Sequence, residues 1–484
     1  MSDSGPGPHD HSPLLSSIIQ PAEELTGIRL SWEYDIWGSH PRWAVEPSIP
    51  LIKDAIVPHL QQQLRASSGN LTHAEEIDLE FLAEGCFNKT YTATLPTSGG
   101  CQSYIVRVSL PVDSHYKTAS EVATIKYLRA RTSIPIPDVF AWDADEGNPM
   151  GFEWILMEKV AGLPLQDVWY PADGSGSVDW QVKQRVVEVI AESVAQMWRL
   201  RFTVGGSLYL PDGIDLPGLV ENDDLTSSGG TSVTVGRIVS MEFFWENHHQ
   251  LTDIERGPFH SSGPWLQSRL RFVIADADRI LQHTNQTQGI QDAAPDTDEV
   301  EQATFMKETA ERLLRQLPNF IPKFDNTRPE LFTLSHSDFS ANNILVDSSG
   351  FLVGAIDWEC TNALPTWAAC KIPYVLDSWN PRTKKPLPEC YIAGPTGIYL
   401  EHLEAYEQTI LRQLFLERMN EIEPSWTEEF KCQEGNRKRD FETAVAWVGD
   451  VSGFHNRGLR NWLNMLEGQG GSGAEKYYSL RSEE

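Results

Sequence analysis

Paired cysteine spacings, long apolar runs and an excess of basic charge are all missing from this chain, and each absence removes a class of function. The six cysteines, Cys86, Cys101, Cys360, Cys370, Cys390 and Cys432, form no C-x-x-C pair and no Cys/His cluster with zinc spacing. Neither a disulfide framework nor a structural zinc site is therefore expected. In a chain of 484 residues, such scattered thiols read as reduced side chains in a reducing compartment. No stretch approaches the ~18 uninterrupted apolar residues of a spanning helix, so no membrane partner is expected. The start, MSDSGPGPHDHSPLL, has no basic residues followed by an apolar run and is not arginine-rich, which argues against a signal or transit peptide. The expected location is the cytoplasm, with the mitochondrion left open. Basic residues number 39 against 68 acidic ones, for a net charge of −29. A field of that sign repels nucleic-acid backbones and anionic lipid, so no nucleic-acid partner is expected.

What is present is ordinary globular composition, with 40% hydrophobic residues and sixteen Trp, in a chain long enough for two or more packed units. Residues 1–75 read as an extension, polar and loose at first, then helical over Ser48–Leu64, where Pro58 is a point of kinking or splitting. From Ile77 the apolar period changes to two. Ile77–Ala83, Tyr91–Leu95, Tyr104–Leu110, Val139–Trp142 and Phe152–Met157 predict five strands, with a helix over Ser120–Ala130 inserted after the third. Downstream the pattern is mainly helical, strongest over Val178–Arg201, with a Gly/Ser/Asp-rich stretch at 203–235 that reads as an insertion. The expected class is α+β, with a five-stranded antiparallel unit at 76–160, a larger helical unit at 161–466 carrying an insertion over 203–330, and a loose tail from 467 to 484.

Chemistry concentrates in one predicted hairpin. His336-Ser337-Asp338-Phe339-Ser340-Ala341-Asn342-Asn343 leads into the apolar run Ile344–Val346. A polar turn ending in Gly350 follows, then Phe351–Ile356, then Asp357-Trp358-Glu359. Antiparallel pairing brings the outer ends of two such strands together, so Asn343 and Asp357 are expected at one end of the hairpin. An amide oxygen beside a carboxylate suits Mg²⁺, which takes few protein ligands. Asp338, in the loop feeding the hairpin, is placed to accept a hydroxyl proton.

These motifs, HSDFSANN followed by AIDWE, resemble the catalytic and metal-binding segments of the aminoglycoside phosphotransferase/choline kinase superfamily, which shares the protein-kinase fold. The stretches 107–113, 117–124 and 236–245 resemble its fungal members. The resemblance implies a two-lobed protein-kinase-like fold. It implies Asp338 as catalytic base, His336 as the residue orienting the loop, Asn343 and Asp357 as Mg²⁺ ligands, and ATP as phosphoryl donor. Ser337 stands where the family often has Gly. The turn Glu84-Gly85-Cys86-Phe87-Asn88-Lys89 falls where the family covers the phosphates, so Gly85, Cys86, Phe87 and Asn88 are expected at the nucleotide. Arg107 takes the usual lysine position, with Glu121 as its helix partner, and Lys117 is the alternative cation. Met157, Glu158, Lys159 and Val160 are expected to present backbone groups to the adenine, and Gly162 lets the chain cross between lobes.

The implied reaction is ATP-dependent transfer to a hydroxyl of a small molecule. A cationic acceptor suits the acids Asp377, Glu442 and Asp450 together with Trp358, Trp367, Trp379, Trp426, Trp447 and Trp462, with His455 and Asn456 nearby. Core tryptophans and solvated helix acids are the plainer reading of the same residues. Two alternatives stand beside the small-molecule kinase. One is an inactive pseudokinase-like binding protein, supported by arginine at 107. The other is a kinase of proteins, disfavoured because Asp357-Trp358-Glu359 runs straight into Cys360–Pro365 with no recognisable activation segment.

Overall fold

The computed structural model describes residues 29–35, 38–66, 77–97, 100–169, 179–211, 219–221, 232–245, 248, 251, 253–287, 297–322, 329–347, 349–377, 381–391, 397–449, 453 and 455–468. The expected loose start, the tail from 469, Ser348, Trp379 and Asp450 lie outside the described residues. The fold is α+β, with several antiparallel sheets and twelve α-helices among the described residues.

The extension departs from its expected form. Residues Leu30–Asp35 (β1) and Gly38–Trp43 (β2) pair as an antiparallel hairpin ahead of the helix Ile49–Ala66 (α1). The run Leu30-Ser31-Trp32-Glu33-Tyr34-Asp35 alternates apolar and polar residues, a period-two signal that the expected form of the extension left out, whereas Gly38–Trp43 carries no such pattern. Trp32 and Trp43 anchor the hairpin by packing against Trp245 and Phe152. Pro58 sits within α1 without dividing it.

The period-two segment forms β3 (Asp78–Glu84), β4 (Asn88–Thr97), β5 (Gly100–Ser109), β6 (Val139–Asp143) and β7 (Glu153–Glu158), with α2 (Tyr116–Arg131) after the third of these. They make one antiparallel sheet in the order β3-β4-β5-β7-β6. Alternation assigns its two faces. Tyr104, Val106, Val108, Trp154 and Leu156 join Ile52, Ile56 and Leu60 of α1 in one apolar cluster. Ile155 and Met157 join Val122, Ile125 and Leu128 of α2 in another. Arg107 belongs to the α2 face by the same period, which sets it opposite Glu121.

Next come β8 (Leu163–Pro164), α3 (Leu165–Trp169) and α4 (Trp180–Arg199). The stretch expected as an insertion supplies strands β9 (Gly206–Tyr209), β10 (Val220–Glu221) and β11 (Thr234–Gly236), then α5 (Met241–Phe244). Two long helices follow, α6 (Ser262–Thr287) and α7 (Thr297–Phe320). Strands β12 (Phe332–Ser335), β13 (Ile344–Val346), β14 (Leu352–Ala355) and β15 (Asn362–Pro365) carry the chemistry-bearing loops. The chain closes with α8 (Thr366–Ala369), α9 (Gly397–Ile422), α10 (Pro424–Lys431), α11 (Gln433–Val448) and α12 (Asn456–Gly468).

A second five-stranded sheet runs β10-β11-β9-β15-β12. Three strands from the Gly/Ser-rich stretch thus pair with the two that flank the site. Gly205 allows this, because a Cβ there would lie 2.5 Å from the Phe332 ring. Arg237 and Arg256 converge on buried Asp113, which ties the connector after β5 to the segment after β11. No helix among the described residues is long and apolar enough to cross a membrane.

Candidate active site

The hairpin sets the geometry. Ile344 pairs with Ala355 and Leu345 with Gly354, and the Ile356 N–H donates to the Asn343 carbonyl at 2.9 Å. Asn343 and Asp357 therefore flank the same end. The turn at the other end is held by Asp347 Oδ1, which accepts from the N–H groups of Ser349 and Phe351 at 2.8 and 2.9 Å. Gly350 is required there. Its φ is +79°, and a Cβ would meet Val182 Cγ1 at 2.0 Å.

Asn343 is buried and donates its amide nitrogen to the Asp338 carboxylate at 2.9 Å and to the Asp338 carbonyl at 3.0 Å. Its side-chain oxygen is then the atom it can offer a cation. Asp338 itself is exposed. The Asp338 N–H donates to His336 Nδ1 at 3.1 Å, and the ring's Nε2 faces the Ile356 carbonyl at 3.4 Å. Those partners fix the tautomer with the proton on Nε2. Burial pushes His336 down to about 4, so its ring is neutral, and it packs 4.7 Å from Trp358 and 5.3 Å from Phe339. The ring orders the loop instead of titrating.

Asp357 has φ +61°, a left-handed conformation uncommon outside glycine. Such conformations concentrate at functional sites. Arg107 spans from β5 to this segment, with its guanidinium paired to Glu121 and Nη1 lying 3.4 Å from Asp357 Oδ1. Both Arg107 and Glu121 are buried, so the pair is no exposed surface bridge.

Sequence reasoning gave Lys117 and Glu359 too little weight. Lys117 is 1% exposed. Its ammonium lies 2.6 Å from the Glu359 carboxylate and donates to Asn88 Oδ1 at 3.1 Å. Asn88 donates in turn to Glu359 at 2.9 Å and accepts from the Ser109 hydroxyl at 2.7 Å. This buried knot joins the β3–β4 turn, α2 and the Asp-Trp-Glu segment. Asp357 and Glu359 respond oppositely. Burial, then Glu359, raises Asp357, against the pull of Arg107 and Lys117. Burial would also raise Glu359, but Lys117 and Arg107, with hydrogen bonds from Lys117 and Asn88, hold it low. Glu359 is thus the ionised partner of Lys117, and Asp357 is the carboxylate short of positive charge. The one available signal was a lysine and a carboxylate close to two predicted site segments.

The turn residues divide by role. The Phe87 ring packs edge-on against Phe244 and Trp245. The Gly85 N–H closes the turn on the Asn88 carbonyl at 2.9 Å. A Cβ on Gly85 would meet nothing within 4 Å, so space does not demand glycine there. Cys86 is exposed. Met157 is buried at the end of β7, and the Glu158 N–H donates to the Asp138 carbonyl at 2.8 Å. Lys159 reaches Thr92 Oγ1 at 3.3 Å. Val160 packs near Gly354, and a Cβ on Gly162 would meet Val353 Cγ2 at 2.6 Å, so close approach requires that glycine.

Several residues expected around an acceptor are structural. Trp358, Trp367, Trp426 and Trp462 are buried in the core. Glu442 is buried between Arg269 and Lys371, at 2.9 and 2.8 Å. Trp447 stacks on His455 with centroids 4.2 Å apart and an interplanar angle of 2°, and Asn456 donates to Gln302 at 2.8 Å. A cavity of about 1050 Å³ opens beside His336 and Ser337, with Asp377, Trp447 and His455 on its wall.

No family model matches the chain. A subtelomeric hrmA-associated cluster protein of Aspergillus fumigatus is 30% identical over 328 residues, covering 61% of this chain and 60% of the relative. Altered inheritance of mitochondria protein 9, mitochondrial, of Candida tropicalis is 28% identical over 194 residues, covering 37% of this chain and 30% of the relative. The matched region thus spans from about a third to three-fifths of these curated relatives. Among solved structures, an aminoglycoside phosphotransferase from Alicyclobacillus acidocaldarius aligns over 82% of this chain and 94% of its own, with a TM-score of 0.29 and 11% identity.

Proposed function

We propose that this chain is an ATP-dependent phosphotransferase that esterifies a hydroxyl of a small molecule, on a two-lobed protein-kinase-like frame. In this reading residues 76–160 hold the nucleotide, 161–466 form the helical lobe with an insertion at 203–330, 1–75 extend the first lobe and 467–484 are a tail. The observation that carries it is the meeting of Asp338, Asn343 and Asp357 at one end of a hairpin, opposite the buried Arg107–Glu121 pair.

The residues divide the work by chemistry. Asp338 accepts the proton of the acceptor hydroxyl as its oxygen attacks phosphorus, giving a phosphoester and ADP. Asn343 fixes that carboxylate through its amide nitrogen. Neutral His336 holds the loop from behind without competing for the proton. The Asn343 oxygen and the Asp357 carboxylate would hold Mg²⁺, whose charge offsets that of the phosphates. The donor set fits, an amide oxygen left free by the Asn343 nitrogen's bonds to Asp338 and a part-exposed carboxylate at the same hairpin end. Arg107 offers a planar fork toward the phosphates, and the Lys117–Glu359–Asn88 knot holds the covering turn against the Asp357 segment. We assign the chain to the cytoplasm. The name of the Candida relative places that protein in the mitochondrion, which is the alternative here, and fractionation of the tagged full chain separates the two.

The pseudokinase reading has one observation in its favour, the contact of Arg107 with Asp357 at 3.4 Å. The test is thermal unfolding with MgATP, and ADP release, for the wild type and Asp357→Ala. The kinase reading expects a Mg²⁺-dependent rise in melting temperature that weakens in the variant, together with ADP release. No shift at millimolar MgATP sinks it. A shift with no turnover on any hydroxyl acceptor favours the pseudokinase.

A further inference from the structure

Successive residues of a strand point to opposite faces, and at the start of β4 this tethers the covering turn on two sides. Asn88 points toward the Asp357 segment and donates to Glu359 at 2.9 Å. Lys89 points the other way. It pairs with Glu46, in the connector from β2 to α1, and its ammonium lies 5.0 Å from the centre of the Trp43 ring. Only 7% of the Lys89 side chain is exposed, so β2 and the connector cover it.

Phe87, two residues earlier, is held by the same hairpin. Its ring stands edge-on to Phe244 and Trp245 at 5.3 and 5.6 Å, and Trp32 of β1 packs 5.5 Å from Trp245. Leu30, Trp32 and Trp43 all border one apolar cluster that contains Phe87, Phe244 and Cys360. Cys360 directly follows Glu359, so this cluster reaches from the hairpin to the segment that carries Asp357. Backbone bonds close the arrangement. The Gly85 N–H donates to the Asn88 carbonyl at 2.9 Å, and the Leu110 N–H donates to the Phe87 carbonyl at 2.8 Å. A loose turn must lose backbone freedom when a ligand binds beneath it, which weakens binding. A turn already held by packing has lost that freedom on folding.

We propose that the β1–β2 hairpin and the connector after it are a positioning element for the donor nucleotide. Trp32 backs Phe87 through Trp245, and Trp43 and Glu46 hold Lys89. The turn Glu84–Lys89 is thereby fixed over the phosphate site before the nucleotide arrives. This rests on the phosphotransferase reading, which puts phosphates under that turn, and it gives residues 29–46 a role beyond extending the first lobe. Trp43 also packs on Phe152 and so braces the sheet as well. Trp32 and Glu46 act toward the turn, and the test uses them.

The full chain is compared with Trp32→Ala and Glu46→Gln. Deuterium exchange without nucleotide is read over residues 85–89, with α4 as the control, and MgATP binding is read by calorimetry. In Trp32→Ala the turn is expected to exchange at least roughly fivefold faster with α4 unchanged, and MgATP to bind at least roughly threefold more weakly. Glu46→Gln changes an exposed side chain and stands in where Trp32→Ala does not fold. It is expected to move both readings the same way by roughly twofold. Unchanged exchange over the turn overturns the proposal, as does faster exchange with undiminished MgATP affinity. Equal acceleration in the turn and in α4 overturns it too, since the hairpin would then serve general stability alone. If the wild type binds no MgATP, the phosphotransferase reading and the nucleotide role fall together, while exchange over the turn still decides whether the hairpin holds it.

Discussion

Two charge clusters differ in their balance. Around the hairpin end, four carboxylates, Asp338, Asp357, Glu359 and Glu121, gather near two cations, Arg107 and Lys117. Between α6 and α11, Glu242 and Glu442 meet Arg269 and Lys371, two against two. In the balanced cluster, burial is outweighed by Lys371 and Arg269, and the Glu442 carboxyl is held down to about 2. In the other, Asp357 is pushed up. A cluster that neutralises itself needs nothing further and serves packing. One left with excess negative charge is where the proposed Mg²⁺ would sit.

Breaking each cluster should therefore cost different things. Asp338→Asn is expected to lower phosphotransfer by roughly 10²–10⁴-fold, with the unfolding midpoint unchanged. Initial rates and urea curves on the same preparation check both halves. Glu442→Gln should do the reverse, keeping most of the rate and losing about 3–5 kcal/mol of stability, because Arg269 and Lys371 lose a shared buried partner. A rate loss without a stability loss in that variant would erase the distinction between the clusters.

Acid sharpens the same contrast. The Glu442 carboxyl titrates lower in the folded chain, about 2 against an ordinary 4.5. Its contribution is therefore fully present above pH 4.5 and is lost as pH falls toward 2. Stability measured across that range should fall less steeply in Glu442→Gln than in the wild type. The smallest effects separate two glycines that border the site. Gly162→Ala forces contact with Val353 and is expected to cost about 1–3 kcal/mol. Gly85→Ala meets open space and should stay within about 0.5 kcal/mol. Chemical denaturation of the two variants side by side checks the order.

Legibility followed the range of the interaction. The β3–β7 strands were readable because period-two alternation is a local property of the chain. So was the meeting of Asn343 and Asp357, since a short hairpin leaves little choice of register. Of the β1–β2 hairpin only β1 alternates, and its pairing with β2 was not readable, because tryptophan contacts to Phe152 and Trp245, far away in sequence, hold it. The Gly/Ser-rich stretch read as an insertion because its short strands β9–β11 have no pattern without β15 beside them.

The sequence by itself determined the strand-rich segment, the mainly helical remainder and the hairpin that carries Asp338, Asn343 and Asp357 in one short stretch. Tertiary structure alone decided that Lys117 would be buried against Glu359 and that Glu442 would be consumed by two cations. The reason is physical. A side chain's partners across 200 or more residues depend on how separate elements pack, and burial raises the energetic weight of those partners far above what composition or neighbouring residues reveal.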